Sequence, residues 1–408
     1  MYVAVKGGQK AISEAHKLLE VTRRGDTELA EISLAQLQNQ LSLAVDRVQA
    51  EGSLYAPRMA ALAVKQAQGD LVEAIFLLRA ARASLKRFGY SEPIKTTAMR
   101  PRRRISGTFK DIPGGQILGP TFDYTHRLLK PSLMDGEDGV RKVGQDREPG
   151  QDSQKGLGGL GDPLEAWEDF GAQAPEGPKP SNGGELTGVA SILELEGLIE
   201  TIEDLESAQR PFDLTREPLE VPLNRGGRLQ ALARADEGFL LALAYSSQRG
   251  FGSVHPFVAE LRLGPVELEF RAPELDLVIT VGEIEVTECQ TANQFKGGGG
   301  KPPMFTRGYG LTFGHNERKA LSMAIVDRAL RSRELNEAIK GPAQNEEFVL
   351  YHSDNVEASG FVSHIKLPHY VDFQAELSML REMRKKLMAQ KEGPGPDGET
   401  SGPESKKE

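Results

Sequence analysis

Cysteine is almost missing from this chain. Cys289 is the only one in 408 residues, so no intramolecular disulfide can form. An iron-sulfur cluster held by this chain alone is excluded as well, because such a cluster needs about three or four thiolates. A lone cysteine suits a reducing compartment. Long apolar runs are also missing: nowhere do about 18 apolar residues follow one another. The N-terminal MYVAVKGGQKAISEAHKLL holds no apolar stretch of secretory-signal length. The expectation is a cytoplasmic protein without a membrane segment. Positive charge is not in excess either. A net charge of -9 opposes a dedicated nucleic-acid binder, which carries a basic domain, although local basic patches can persist. No internal repeat is present, and tryptophan occurs once, at Trp167.

What remains is a chain with 38% hydrophobic residues, enough to fill a core in one or two domains. Before residue 134 the pattern is helical. Residues 11–23, 33–51 and 70–86 carry apolar side chains at spacings of three and four, with Ser33 and Asp70 placed as N-caps and Gly25 and Gly89 after helix ends. MYVAV could add a first strand. From 135 to 190 the chain turns Gly- and Pro-rich with interleaved acids, which reads as a disordered insertion containing Trp167 in a transient helix or docking motif. After it come FVAELRL, VELEFRA, LDLVITV and EIEVTECQ, four β-patterned runs that suggest an antiparallel meander. HNERKALSMAIVDRALRSREL reads as an amphipathic helix, EEFVLYH and NVEASGFV as two strands, and DFQAELSMLREMRKKLMAQ as a last helix capped by Asp372. The expected class is α+β: a helical region 1–134, the insertion 135–190, an α+β region 191–388 packing with the first, and a disordered tail 389–408.

Four stretches could carry chemistry. RPRRRISGTFKDIPGGQILGPTFDYTHRLL places Arg102, Arg103 and Lys110 beside a turn at Gly114 and Gly115. Guanidinium groups and glycine-exposed amides suit polyphosphate, while the plainer reading is a solvated basic loop. In RADEGFLLALAY, Asp236 or Glu237 is either an acid–base carboxylate or the cap of the apolar segment after it. GGGGK is not a phosphate loop, because Phe295 stands where that motif needs Gly and Pro302 where it needs Ser or Thr. A glycine-rich loop between Lys296 and Lys301 could still fold over an anion, hinged at Arg307 and Tyr309, or be a plain hairpin.

The fourth stretch is GFVSHIKLPHYVDF. His364 and His369 are five apart, a step that diverges on a helix or a strand, but Pro368 enforces an irregular segment in which the rings can meet. Two histidines fall short of the three or four protein ligands zinc takes, and only His352 and Cys289 are obvious supplements in this half of the chain. A structural role and half of a metal site both remain open on spacing alone.

MYVAVKGG, ALAVKQAQGDLVEAIFLLRA, RFGYSEP, the Arg-rich block above, RLQALARADEGFLLALAYSSQRGFG, VTECQTANQFKG, FTRGYGL and EEFVLYHSDNVEASGFVSHIKLPHYVDFQAEL together resemble subunit I of the bacterial carbon-phosphorus lyase core complex. The likeness runs along nearly the whole chain except the insertion and the tail. It implies work in a complex with subunits G, H and J. It also implies formation of α-D-ribose 1-methylphosphonate 5-triphosphate from a purine nucleoside triphosphate such as ATP and methylphosphonate, with release of the base. Alone, the family subunit is a nucleosidase, with water replacing the phosphonate. Carbon-phosphorus cleavage itself belongs to a radical subunit carrying the iron-sulfur cluster. The family's metal-binding H-x4-H pair, which holds zinc at the contact with that radical subunit, matches His364 and His369. For base displacement the nominated residues are Arg102, Arg103, Lys110, Gly114 and Gly115 on phosphate and Asp236 or Glu288 as carboxylate; no proton donor is nominated. The alternative is an assembly subunit that mainly completes the metal site of its radical partner.

Overall fold

The structure is a computed structural model that describes residues 8–133, 187–201, 212–251, 256–272, 274–275, 277–298 and 301–391. The MYVAV strand, the body of the insertion with Trp167, and the tail past residue 391 lie outside the described residues. The described part is α+β, as expected: helices together with one four-stranded antiparallel sheet in the order β1-β2-β3-β4. Compactness separates one unit spanning Lys6–Ala358 from a second that contains the residues from Ser359 onward.

The first unit opens with α1 (Gln9–Arg24), α2 (Leu34–Gln40), α3 (Ser42–Gly52), α4 (Pro57–Gln66) and α5 (Leu71–Ser84). Ser33 caps α2 in a reciprocal box with Gln36, and Asp70 accepts from the backbone of Val72 and Glu73 at the start of α5. The single helix expected over 33–51 is two, broken at Leu41. Gly25 follows α1, but α5 stops at Ser84, short of Gly89. Leu37, Val45, Val48, Val64, Ile75 and Leu78 close a core between α2 and α5.

The sheet is built from β1 (Arg103–Ile105), β2 (Phe257–Ala272), β3 (Leu277–Gly298) and β4 (Lys301–Phe313). The four short runs are therefore two long strands. FVAELRL and VELEFRA join because the carbonyl of Pro265 takes the Arg100 N–H on the β1 side, so the missing proline N–H faces that side and the ladder to β3 continues. LDLVITV and EIEVTECQ join through a register shift opposite Leu268 and Glu269. β3 and β4 form a hairpin in which Arg307 and Tyr309 lie within β4, not at a loop hinge.

Five helices complete the first unit's framework: α6 (Val189–Leu195), α7 (Arg225–Arg234), α8 (Glu237–Ser246), α9 (Glu317–Leu330) and α10 (Glu346–His352). α9 lies directly on β4. A Cβ on Gly308 would come within 2.0 Å of the Ala324 carbonyl oxygen, and one on Gly310 within 2.2 Å of that of Ala320. Only glycine permits this approach. EEFVLYH, expected as a strand, is α10; Asn345 caps it by accepting from Phe348, and Val349 and Leu350 bury against Leu232, Leu240 and Met323. NVEASGFV, also expected as a strand, lies in α11 (Asn355–His364), where Asp354 accepts from Val356 and Glu357. In α10 a cap and a buried stripe override β-prone composition; in α11, none of whose residues is buried, the Asp354 cap does so.

α12 (Tyr370–Lys391) ends the described chain. Asp372 sits inside its first turn and does not cap it, since the Phe373 N–H already bonds the His369 carbonyl. Among the described residues no helix is long and apolar enough to cross a membrane.

Candidate functional site

Arg103 leaves β1 into a buried position with 1% side-chain exposure. Its Nη2 lies 2.5 Å from Asp123, its Nη1 donates to the Leu118 carbonyl, and its Nε is 2.6 Å from Glu317 in an ion pair off the hydrogen-bond line. Arg102, half exposed, pairs with Glu285 at 2.6 Å. Lys110 is exposed. Gly114 and Gly115 do adopt left-handed backbone, at φ 83° and 74°. Their turn closes on itself: the Gly115 N–H bonds the Ile112 carbonyl, and Gln116 bonds the carbonyls of Phe109 and Lys110 while accepting from the Ser106 N–H. The Arg-rich segment is thus a cross-linked loop whose central guanidinium is already engaged.

Glu288 stands on β3 opposite Arg262 of β2, and both are buried. Arg262 donates to it through Nε at 3.0 Å and again through Nη2; the Thr96 hydroxyl is at 2.8 Å and that of Tyr309 at 2.9 Å. Burial, together with the Glu288 charge, pushes the Tyr309 hydroxyl well above its usual pKa, so Tyr309 stays a donor. Cys289, beside it, is fully buried against α9, and burial raises its thiol pKa, which leaves it unsuited to ligate metal.

Asp236 caps α8, accepting from the Phe239 N–H at 2.7 Å, and receives Arg47 at 2.9 Å. Around it a closed cluster forms that no motif announced. Glu51, fully buried, accepts from Arg47, Asn355 and the Glu237 N–H, and Lys319 lies 3.8 Å away. Burial, only partly offset by Glu51, lowers Lys319 to about 8. The expected cap is what Asp236 forms.

In the second unit, His364 ends α11 and His369 precedes α12, and the corner through Pro368 brings their ring centroids to 5.4 Å. Two imidazoles on one zinc, with nitrogens about 2.0–2.1 Å from the ion and splayed tetrahedrally, place their centroids roughly 5 Å apart. The tautomers fit too. His364 Nδ1 bonds the Phe361 carbonyl and His369 Nδ1 the Leu367 carbonyl at 2.7 Å. A carbonyl only accepts, so in the neutral rings Nδ1 carries the proton and both Nε2 atoms keep a lone pair for a metal. Among the described residues no group of three or more His, Cys, Asp or Glu side chains is arranged to hold an ion.

A cavity of about 360 Å³ opens elsewhere in the first unit, and none of the nominated residues lines it. Its walls are the π-helical turn Ser247–Phe251 after α8, the β3 end at Asn293 and Lys296, the α9 C-terminus at Arg328, and the turn from Asn336 to Gln344. Glu337 is clamped there, 2.7 and 2.9 Å from two Arg328 nitrogens and 2.5 Å from Lys296 Nζ. Burial works to raise its pKa, but Arg328 and Lys296 outweigh it and hold the carboxyl near 2. Gln344 locks the turn, accepting from the Lys340 and Gly341 N–H groups and donating to Ser332. Lys296, which bounds the glycine-rich loop noted in the sequence, lies on this wall, whereas Glu337 and Gln344 carry no motif.

The bacterial phosphonate metabolism protein (PhnI) family matches residues 1–387. A protein of Rhizobium meliloti (strain 1021), the alpha-D-ribose 1-methylphosphonate 5-triphosphate synthase subunit PhnI, is 54% identical over 398 residues, 98% of this chain and 98% of that one. Its namesake in Escherichia coli (strain K12) is 51% identical over 385 residues, covering 94% of this chain and 99% of that one. The sheet, the histidine corner and every helix but the last turn of α12 fall within residues 1–387, and the chain belongs to the bacterial phosphonate metabolism protein (PhnI) family.

Proposed function

We propose that this chain transfers the ribose 5-triphosphate moiety of a purine nucleoside triphosphate, ATP in the first instance, to methylphosphonate, working with carbon-phosphorus lyase subunits G, H and J. The observation that carries the reading is the near full-length likeness to two proteins named for the synthase that makes this product. In the reaction the bond from ribose C1 to the purine nitrogen breaks, a phosphonate oxygen bonds to C1, and the departing base takes up a proton. Without the phosphonate, water attacks and free base still appears. The transition state resembles an oxocarbenium ion, so a fixed negative charge near C1 and cations on the phosphates are the groups to supply. Holding the nucleophile in line is worth about 7–11 kcal/mol, more than one proton transfer at about 10² to 10⁴ in rate. Incubation with ATP and methylphosphonate, with and without the partner subunits, is expected to release adenine, and with the partners to yield the ribosyl phosphonate. Chromatography that finds no free base in any combination of subunits would sink the reading.

His364 and His369 would hold zinc through their Nε2 atoms, with further ligands from the radical partner subunit. Bound there, the ion supplies positive charge and a tie between chains; this chain's part is to fix the two ring tautomers. A second reading, the assembly subunit, is favoured by apolar side chains left exposed around the pair: Val371 is 82% exposed, and Phe361, Ile365 and Phe373 are also largely exposed. The double variant His364→Ala, His369→Ala is expected to lose bound zinc and carbon-phosphorus cleavage in the assembled complex. Base release in that variant separates the readings: if it persists, ribosyl transfer lies elsewhere in the chain; if it disappears with assembly intact, the histidines serve both steps.

A further inference from the structure

We propose that the cavity between the α8 π-turn, the end of β3 and the Asn336–Gln344 turn is the seat of the nucleotide, with Glu337 facing the sugar and Lys340 on the polyphosphate. The assignment rests on the reading of the chain as a ribosyl transferase and adds the place where its substrate sits. Four observations converge on it. The volume, about 360 Å³, lies within the range of about 300–1,000 Å³ seen for small-molecule sites. The lining carries three cations, Lys296, Arg328 and Lys340, against the single carboxylate of Glu337, an excess of positive charge that suits a polyanion. That carboxylate, Glu337, is gripped by a bidentate guanidinium and a lysine, which keeps its negative charge in place and prevents it from neutralising as a substrate enters. A charge so fixed is what an oxocarbenium-like centre requires.

The backbone points the same way. The wall contains a π-helical turn, Ser247–Phe251, and a non-glycine residue in left-handed conformation, Asn336 at φ 54°. π-helical turns gather at functional sites, while the left-handed Asn336 closes the helix-end turn in which the Glu337 N–H bonds the Ser332 carbonyl and so sets Glu337 on the wall. By contrast, the Arg102–Gly115 loop is closed by its own hydrogen bonds, and none of its residues lines this cavity.

Two substitutions at exposed wall positions test the placement without touching the core. Ala338→Trp fills the cavity and is expected to weaken ATP binding by about 100-fold, and Lys340→Glu by about 10-fold, as for a charge reversed beside a phosphate. Titration calorimetry of the full chain reads both, with thermal melting as the check on folding. Glu337→Gln keeps the shape and is expected to lower adenine release at saturating ATP by about 10²-fold, with KM within about threefold. ATP binding by Ala338→Trp within twofold of wild type, or a loss caused by Lys110→Glu while Lys340→Glu binds normally, overturns the placement. A wild-type chain that neither binds ATP nor releases base overturns the ribosyl-transfer reading instead.

Discussion

Glu288→Ala is expected to destabilise the first unit by about 3 kcal/mol, because it removes the hydrogen-bonded carboxylate of the buried Arg262 and leaves it Glu260, 4.0 Å away. Arg262 is 3% exposed, its Nη1 already lacks a hydrogen-bond partner, and the Glu260 oxygen nearest it is engaged by Arg104. The Tyr309 and Thr96 hydroxyls lose their acceptor at the same time. Urea unfolding measures the effect as a shift in midpoint at constant slope. The result also decides what Glu288 is. A variant with wild-type stability and no base release would make it a catalytic carboxylate; a fall of the expected size makes it the keystone of a cross-strand ion pair.

Gly308→Ala carries the second large effect. The added methyl meets the Ala324 carbonyl oxygen, which is backbone and cannot rotate away, and the Thr291 hydroxyl at 2.7 Å. α9 must therefore shift off β4. Overpacking of this kind costs about 1–3 kcal/mol, and a backbone clash belongs at the top of that range. The expected outcome is a lower melting temperature together with weaker ATP binding, because the displaced helix carries Arg328. Unchanged melting would mean that the helix is not seated on the strand as described.

What could be read from the sequence follows how far along the chain each signal reaches. Ser33, Asp70 and Asp236 cap helices as their positions suggested, because a cap involves a side chain and a backbone group only two or three residues apart. EEFVLYH and NVEASGFV misled because Phe, Val and Tyr fit a strand by composition, while the Asn345 and Asp354 caps, and under EEFVLYH the core, decided otherwise. The arginines misled for a related reason. An Arg-rich block announces anion binding, but the anions that Arg102 and Arg104 bind are Glu285 and Glu260, more than 150 residues later in the chain. Sequence could not reveal that pairing, and it likewise gave no sign that Lys296, Arg328 and Glu337 converge. The histidine corner was legible because Pro368 acts on its immediate neighbours.

The contact of Gly308 and Gly310 with α9 has a consequence for how the family can vary. The Ala324 carbonyl touched by Gly308 belongs to the helical turn that accepts the N–H of Arg328, so the cavity wall takes its position from backbone resting on backbone. Side-chain layers drift as sequences diverge, and about half the positions differ between this chain and the Escherichia coli protein. A wall gauged by two main chains does not inherit that drift: residues around it can be exchanged while the guanidinium stays where its carboxylate expects it.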